Sequence, residues 1–396
     1  MQIVFFEDKR CSRLLPLTYT KPVSHLRMGM HTMAERWGNA GFEVLGDVTR
    51  PYLQSVFPDK KHDGVLYINA RVFPSLDVVK SIQQLKTNET LYSNGQLIAT
   101  WHREWDSEIE GSNGVSIETH LIQSLTDLFT QNAFALKFDF ELATKGKTSQ
   151  AIDSSNIIIG DKNLIFLAEG AKIWASTLNT TDGPIYLEKD AEIMEGSHVR
   201  GPFYLGEHSQ LKMGAKIYGA TTIGPHCKVG GEVSNSVIQG FSNKAHDGFL
   251  GNSVIGEWCN LGADTNTSNL KNNYGHVKTW QYDTETMQNT GLTFCGLVMG
   301  DHSKCGINTM LNTGTVVGVG ANIFGGDFPP KHVPSFSWGG SGGFEEYDIQ
   351  KMLATASQVY TRRGLDLTEK HREILHEVFR LTAKHRQDAT QSQEYI

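Results

Sequence analysis

Between Leu187 and Val229 an aliphatic residue recurs at every sixth position without a miss: Leu187, Ile193, Val199, Leu205, Leu211, Ile217, Ile223 and Val229. An α-helix repeats its buried face about every 3.6 residues and a strand about every two, so neither sustains this register. Four residues after these aliphatics stand mostly small side chains, among them Ala191, Ser197, Ser209, Ala215, Thr221 and Cys227. The period returns at Met299, Cys305, Leu311, Val317 and Ile323, with a shorter pair at Ile255 and Leu261, and Ile159 and Ile165 mark an earlier start. The spacing predicts a left-handed parallel β-helix, in which three short strands and about 18 residues make one coil and each aliphatic fills the interior. The 40 glycines fit this reading, because tight corners need a positive φ that is cheap only without a Cβ.

Two stretches interrupt the count, Phe241 to Asn252 and roughly Thr267 to Thr293. A coil that must keep stacking is expected to extrude both as external loops, where chemistry tends to sit. Residues 1–150 mix short apolar runs (Gln2 to Phe6, Gly64 to Ile68, Gln96 to Ala99) with helical candidates at Gly29 to Trp37, Leu76 to Leu85 and Thr119 to Gln131, which predicts an α/β domain. The coil is assigned 151–338 and a helical tail 339–396. Gly339 to Gly343 reads as a flexible break. Beyond it Glu345 to Tyr360 and Leu367 to His385 have helical spacing, with Asp366 and Glu369 placed as a capping box.

A chain of 396 residues is more than one core usually organises, in keeping with that division. A net charge of -7 argues against a nucleic-acid backbone as main partner. No stretch approaches the roughly 18 consecutive apolar residues of a membrane span, and the start MQIVFFEDKR lacks a secretory pattern, so the expected compartment is the cytoplasm. Five scattered cysteines without C-x-x-C spacing favour neither a disulfide framework nor a zinc ribbon.

The run Ser242-Asn243-Lys244-Ala245-His246-Asp247-Gly248-Phe249-Leu250-Gly251, followed by Ile255-Gly256, Asn260-Leu261-Gly262-Ala263 and Asn269, resembles the acetyltransferase half of the GlmU family. That family joins glucosamine-1-phosphate N-acetyltransferase to N-acetylglucosamine-1-phosphate uridylyltransferase. The resemblance covers roughly residues 155–330. It implies His246 as catalytic general base and Asn260 and Asn269 as substrate contacts, with Phe249 at a family tyrosine position. It further implies acetyl-CoA along the later coils, near Gly306, Ile307 and Gly325, with Lys278 and Lys331 in reach of its phosphates. Such prisms assemble as homotrimers by family analogy. The family's lysine for the sugar phosphate falls on Ser234, and a second site tyrosine on Leu270; Lys244, Lys271 and His276 are the candidates to rebuild a phosphate pocket within the inserted loops.

Arg13-Leu14-Leu15-Pro16-Leu17-Thr18 with Lys21-Pro22 is similar to a segment of sugar-phosphate nucleotidyltransferases that follows a first strand. Those enzymes cradle nucleotide phosphates on a glycine-rich loop. Here the loop reads Glu7-Asp8-Lys9-Arg10-Cys11-Ser12, without a glycine, and Asn69 stands nearest the expected metal-binding aspartate. Either Lys9, Arg10, Arg13 and Lys21 hold a nucleoside triphosphate by side chains, with Mg2+, or the domain serves binding or assembly. Two other readings of the whole chain stay open: a non-catalytic trimeric scaffold for sugar nucleotides, and a γ-carbonic-anhydrase-like zinc enzyme. The second would use His208 and His226, one coil apart, with His246 or His198.

Overall fold

The computed structural model describes residues 1–59, 64–102, 105 and 114–391. They form two compact units: Met1–Leu26 with His31–Ser124, and Arg27–Met30 with Leu125–Ile396.

The first unit is built on a six-stranded mixed sheet. Its central strand Gln2–Phe6 runs parallel to Glu43–Val48 and to Val65–Asn69, and Gln96–His102 pairs antiparallel with Val65–Asn69. Val65–Asn69 is buried along its whole length, as a strand covered on both faces must be. The helix Met33–Asn39 starts at a capping box made by Thr32 and Glu35. Ser75 caps the helix Leu76–Gln83 through the Val78 N–H. The α/β domain is therefore present, its sheet parallel except for the strand Gln96–His102, which runs antiparallel to both neighbours.

The second unit is the predicted parallel β-helix. Its strands stack into a nine-stranded, a ten-stranded and a six-stranded sheet. All eight aliphatics from Leu187 to Val229 lie in one continuous core, joined by Ile255, Leu261, Met299, Cys305, Leu311, Val317 and Ile323. Burying each such side chain is worth about 1.5–3 kcal/mol, so a regular sixfold register is a strong determinant of the fold. Of the earlier start, Ile165 lies in the core as expected, whereas the first position is shifted by one residue. In the strand Ile157–Ile159 it is Ile158 that packs on the core and pairs with Leu178, while Ile159 is 45% exposed.

The two interruptions behave differently. Residues 241–252 are not extruded: Asn243–Lys244 pairs with Lys228–Val229, and Phe249–Gly251 pairs with Glu232–Ser234. The coil tightens here, and Lys244 takes the place beside Val229 that a core aliphatic would hold. The second interruption does leave the coil, as the antiparallel hairpin Lys278–Gln281 with Thr286–Asn289.

Residues 125–144 belong to the second unit. Of the expected span Thr119 to Gln131 only Asp127–Thr130 is helical, and the main helix follows at Asn132–Thr144. Leu136 and Phe140 share a cluster with Phe166, Tyr186 and Tyr204 of the coil, and the Asn132 amide donates to the Ala220 carbonyl at 2.9 Å. The glycine-rich segment after the coil is no flexible break. Ser337–Gly340 and Gly343–Glu346 form an antiparallel hairpin, and a Cβ on Gly339 (φ 147°) would lie 2.1 Å from the Gly343 carbonyl oxygen. The tail helices are Ile349–Thr361, capped by Asp348, then Glu369–Leu381 and Ala383–Gln391. Thr368, not Asp366, caps the second, accepting from the His371 N–H. Among the described residues no helix is long and apolar enough to cross a membrane.

Candidate functional site

The strand Asn243–Lys244 delivers the chain to a turn at residues 245–248 that carries His246, which is exposed. Gly248 (φ 111°) closes the turn, and a Cβ there would meet the Thr265 carbonyl oxygen at 2.2 Å. Lys244 holds the turn from within. It is 3% exposed, and its ammonium donates to the main-chain carbonyls of His246 and, at 3.2 Å, of Asp247. Burial pushes its pKa down to about 8, against the opposing pull of Asp247 and Asp264. Lys244, expected among the substrate contacts, is instead an internal clamp, because the tightened coil turns its side chain inward.

His246 opens onto a cleft of about 630 Å³. Asn260 and Ile307 line the same cleft, so three of the positions read from sequence meet there. Four cations line it as well, Lys228, Lys304, Arg362 and Arg363, and no carboxylate does among the described residues. Lys304 is held by the His302 carbonyl at 2.9 Å. Arg362 and Arg363 come from the tail, just past the helix Ile349–Thr361. The sequence reading missed them, although an Arg-Arg-Gly at the end of an amphipathic helix was a visible signal.

Aromatic stacking brings the helix end to the cleft. Trp258 lies on Phe241 at 4.2 Å with planes 12° apart, and Tyr360 lies on Trp258 at 3.9 Å and 20°. Phe241 and Trp258 occupy successive coil corners with positive φ, 53° and 62°, which sets their rings in register. His208 and His226 continue the column at 5.0 Å, the stacking that their 18-residue separation predicts. Among the described residues no group of three or more His, Cys, Asp or Glu side chains could hold a metal ion. Cys259 also lines the cleft, but burial pushes its thiol well up and it donates to the Gly300 carbonyl at 3.2 Å, so it offers no thiolate nucleophile.

The remaining positions lie elsewhere on the coil. Asn269 and Phe249 meet over Gly251, and the Asn269 amide donates to Asn252 Oδ1 at 2.8 Å. Lys271 donates to the His276 carbonyl, and Lys331 to Thr313 Oγ1 at 3.3 Å. Burial and the neighbouring Lys271 both lower the Lys331 pKa. Lys278 lies exposed on the external hairpin. Gly306 backs the cleft, where a Cβ on the lining Gly262 would lie 2.5 Å from its carbonyl carbon. Gly325 (φ 100°) faces open space.

In the first unit the loop after the strand Gln2–Phe6 is a 3-10 helix, Lys9–Leu14, capped by Asp8. The other Asp8 oxygen accepts from Asn69 Nδ2 at 3.0 Å and from Arg71, whose guanidinium is fully buried. Glu7 accepts from the Val23 N–H at 2.9 Å and from Thr49 Oγ1. Arg10 and Arg13 are exposed on the 3-10 helix, whereas Lys21 is buried. Where a glycine-rich loop would offer N–H groups to phosphates, this chain presents carboxylates already engaged by its own donors. Asn69 turns its amide N–H to Asp8, so the residues present do not fit a magnesium site.

Residues 3–148 match the family model described as sugar nucleotidyl transferase. The chain is 36% identical over 146 residues to a bifunctional sugar-1-phosphate nucleotidylyltransferase/acetyltransferase of Sulfurisphaera tokodaii, covering 36% of each. It is 33% identical over 87 residues to the bifunctional protein GlmU of Methanocaldococcus jannaschii, covering 22% of this chain and 21% of that one. The aligned parts thus span about a third or less of the curated relatives. Among solved structures, the polySia-specific acetyltransferase NeuO aligns at 12% identity and a TM-score of 0.26, over 52% of this chain and 94% of that one. An Arabidopsis UDP-N-acetylglucosamine acyltransferase aligns at 15% and 0.20, over 59% and 91%. The fold assignment rests on the strand ladders themselves.

Proposed function

We propose that the chain is a transferase of sugar-nucleotide biosynthesis, an acetyl-CoA-dependent N-acetyltransferase whose acceptor is an amino-sugar phosphate of the glucosamine 1-phosphate type. The observation that carries this reading is the exposed His246, held by Lys244 at the mouth of a cleft lined by four cations and, among the described residues, no carboxylate. The matches to bifunctional nucleotidylyltransferase/acetyltransferases support it.

In this reaction the free amine of the sugar attacks the thioester carbonyl carbon. The C–N bond forms as an N–H proton passes to the imidazole of His246, a group suited to that task near neutral pH. The C–S bond then breaks, its electron pair leaves on the coenzyme A sulfur, and that sulfur takes up a proton. Asn260 orients the acceptor from the cleft wall. Asn269 and Phe249, over Gly251, serve a neighbouring subsite, and the working assembly is a cytoplasmic homotrimer in which prisms share clefts.

The first unit contributes binding or assembly on this reading, because Asp8 and Arg71 fill the place of a phosphate loop. Acetyl-CoA consumption with glucosamine 1-phosphate, followed as free thiol, tests the main activity. His246→Ala should abolish it while leaving the sedimentation coefficient unchanged. Retained turnover in that variant overturns the assignment. Isotope exchange between pyrophosphate and nucleoside triphosphates, dependent on sugar 1-phosphate and magnesium, tests the first unit; none is expected, and exchange would restore a nucleotidyltransferase.

A further inference from the structure

We propose that Arg362 and Arg363, delivered by the tail, form the phosphate-recognition subsite of the His246 cleft. The inference rests on the acetyltransferase reading for the identity of its ligands, but not for the existence of the subsite.

The tail is docked on the coil by one face of its first helix. Met352, Leu353, Ala356 and Tyr360 form the buried face of the helix Ile349–Thr361. Tyr360 extends the Phe241–Trp258 stack, and Gly364 (φ 70°) turns the chain just beyond, so the two arginines sit at a fixed corner over the cleft. Arg363 reaches Asn243 Oδ1 at 3.2 Å, a neutral acceptor that orients the guanidinium and leaves its charge uncompensated.

Charge at the cleft runs against that of the whole chain, which is -7. Lys228 has its pKa lowered by burial and by the adjacent Lys212, Arg363 and Arg362, a mark of cations crowded together. A second concavity of similar size, on another face of the coil, provides the contrast. There Arg200 pairs with Asp182 at 3.6 Å, and Lys216 stands across from Glu232. Its charges are balanced by the protein, whereas those at the His246 cleft await an external anion. Planar guanidinium groups match phosphate oxygens in pairs, and a phosphate monoester or pyrophosphate is the anion that such a pair recognises best.

Both substrates of the proposed reaction bring phosphate, the sugar as a monoester and coenzyme A as pyrophosphate and monoester. The test is equilibrium binding by calorimetry of glucosamine 1-phosphate, glucosamine and coenzyme A to the native protein, to Arg362→Gln/Arg363→Gln and to His246→Ala. The double variant should lose roughly ten- to hundredfold affinity for a phosphate ligand, the size of a lost charge-assisted contact, with binding of glucosamine unchanged. Loss for the sugar phosphate assigns the subsite to the acceptor; loss for coenzyme A assigns it to the donor. His246→Ala should keep the difference in affinity between glucosamine 1-phosphate and glucosamine, because both arginines are intact. Lys228→Gln, on a coil strand and outside the buried face of the tail helix, should weaken the same ligand by a smaller factor and guards against misfolding of the tail. Native affinity for both phosphate ligands in the double variant overturns the proposal, as does failure of the native protein to bind either. Absence of acetyl transfer alongside arginine-dependent binding would overturn the acetyltransferase reading and leave the subsite standing.

Discussion

From inside the coil, the ammonium of Lys244 donates to the main-chain carbonyl of His246, two residues further along the chain. A lysine in a column of aliphatics is costly to bury and is tolerated only where its protons find acceptors. The acceptors here are the carbonyls of the turn that presents the candidate base, so the position of His246 depends on a residue that cannot itself reach a substrate.

Lys244→Met keeps the length of the side chain and removes the clamp. Because an apolar residue suits the column between Val229 and Leu261, the thermal midpoint should hold or rise. The turnover number should fall by about ten- to a hundredfold, matching the loss of hydrogen bonds from a charged donor, while KM changes less. Steady-state kinetics beside thermal melts check this; an unchanged turnover number would show that the clamp is dispensable.

The same lysine makes stability depend on pH in the alkaline range. Its folded pKa is depressed to about 8 from the ordinary 10.5, so between these values the unfolded chain holds a proton that the folded chain has released. Stability attributable to this group therefore rises with pH across that window, by an amount on the order of 2–3 kcal/mol, and is level below pH 8 and above 10.5. Urea titrations of native protein and Lys244→Met at about pH 7.5 and about pH 10, which span most of that window, isolate it as a difference between the two.

In the first unit, Asp8→Ala leaves the buried guanidinium of Arg71 without its carboxylate, although Gln96 and Gln123 still accept from it. A loss of about 2–4 kcal/mol is expected for breaking one side of such a pair. Denaturant unfolding followed at the first unit's transition measures it. If Asp8 were poised for magnesium instead, the substitution would be close to neutral for stability and would abolish metal-dependent exchange.

Trp258→Leu removes the ring that receives Tyr360. The tail should loosen, becoming more sensitive to limited proteolysis near Gly364, and affinity for the phosphate ligand should fall as Arg362 and Arg363 lose their fixed place. The coil should survive, because Trp258 lies at a corner and outside the aliphatic column. Native protease resistance in this variant would show that the stack does not anchor the helix.

Read alone, the sequence determined the coil. The aliphatic period from Leu187 to Val229 is local, repeats identically and has one economical way to be buried, so every member of it was found in the core. His246, Asn260 and Ile307 were legible from the order and spacing of a motif. What escaped the sequence depended on packing between distant segments. The tightening of the coil at residues 241–252 turned Lys244 inward, and nothing in a linear pattern tells a lysine at an interior position from one on a loop. The hairpin at Gly339 and Gly343 looked like a break because glycines mark close approach and flexibility alike. Arg362 and Arg363 lie more than a hundred residues from His246, and only the stacking of Tyr360 on Trp258, a tertiary contact between tail and coil, brings their charge to the cleft.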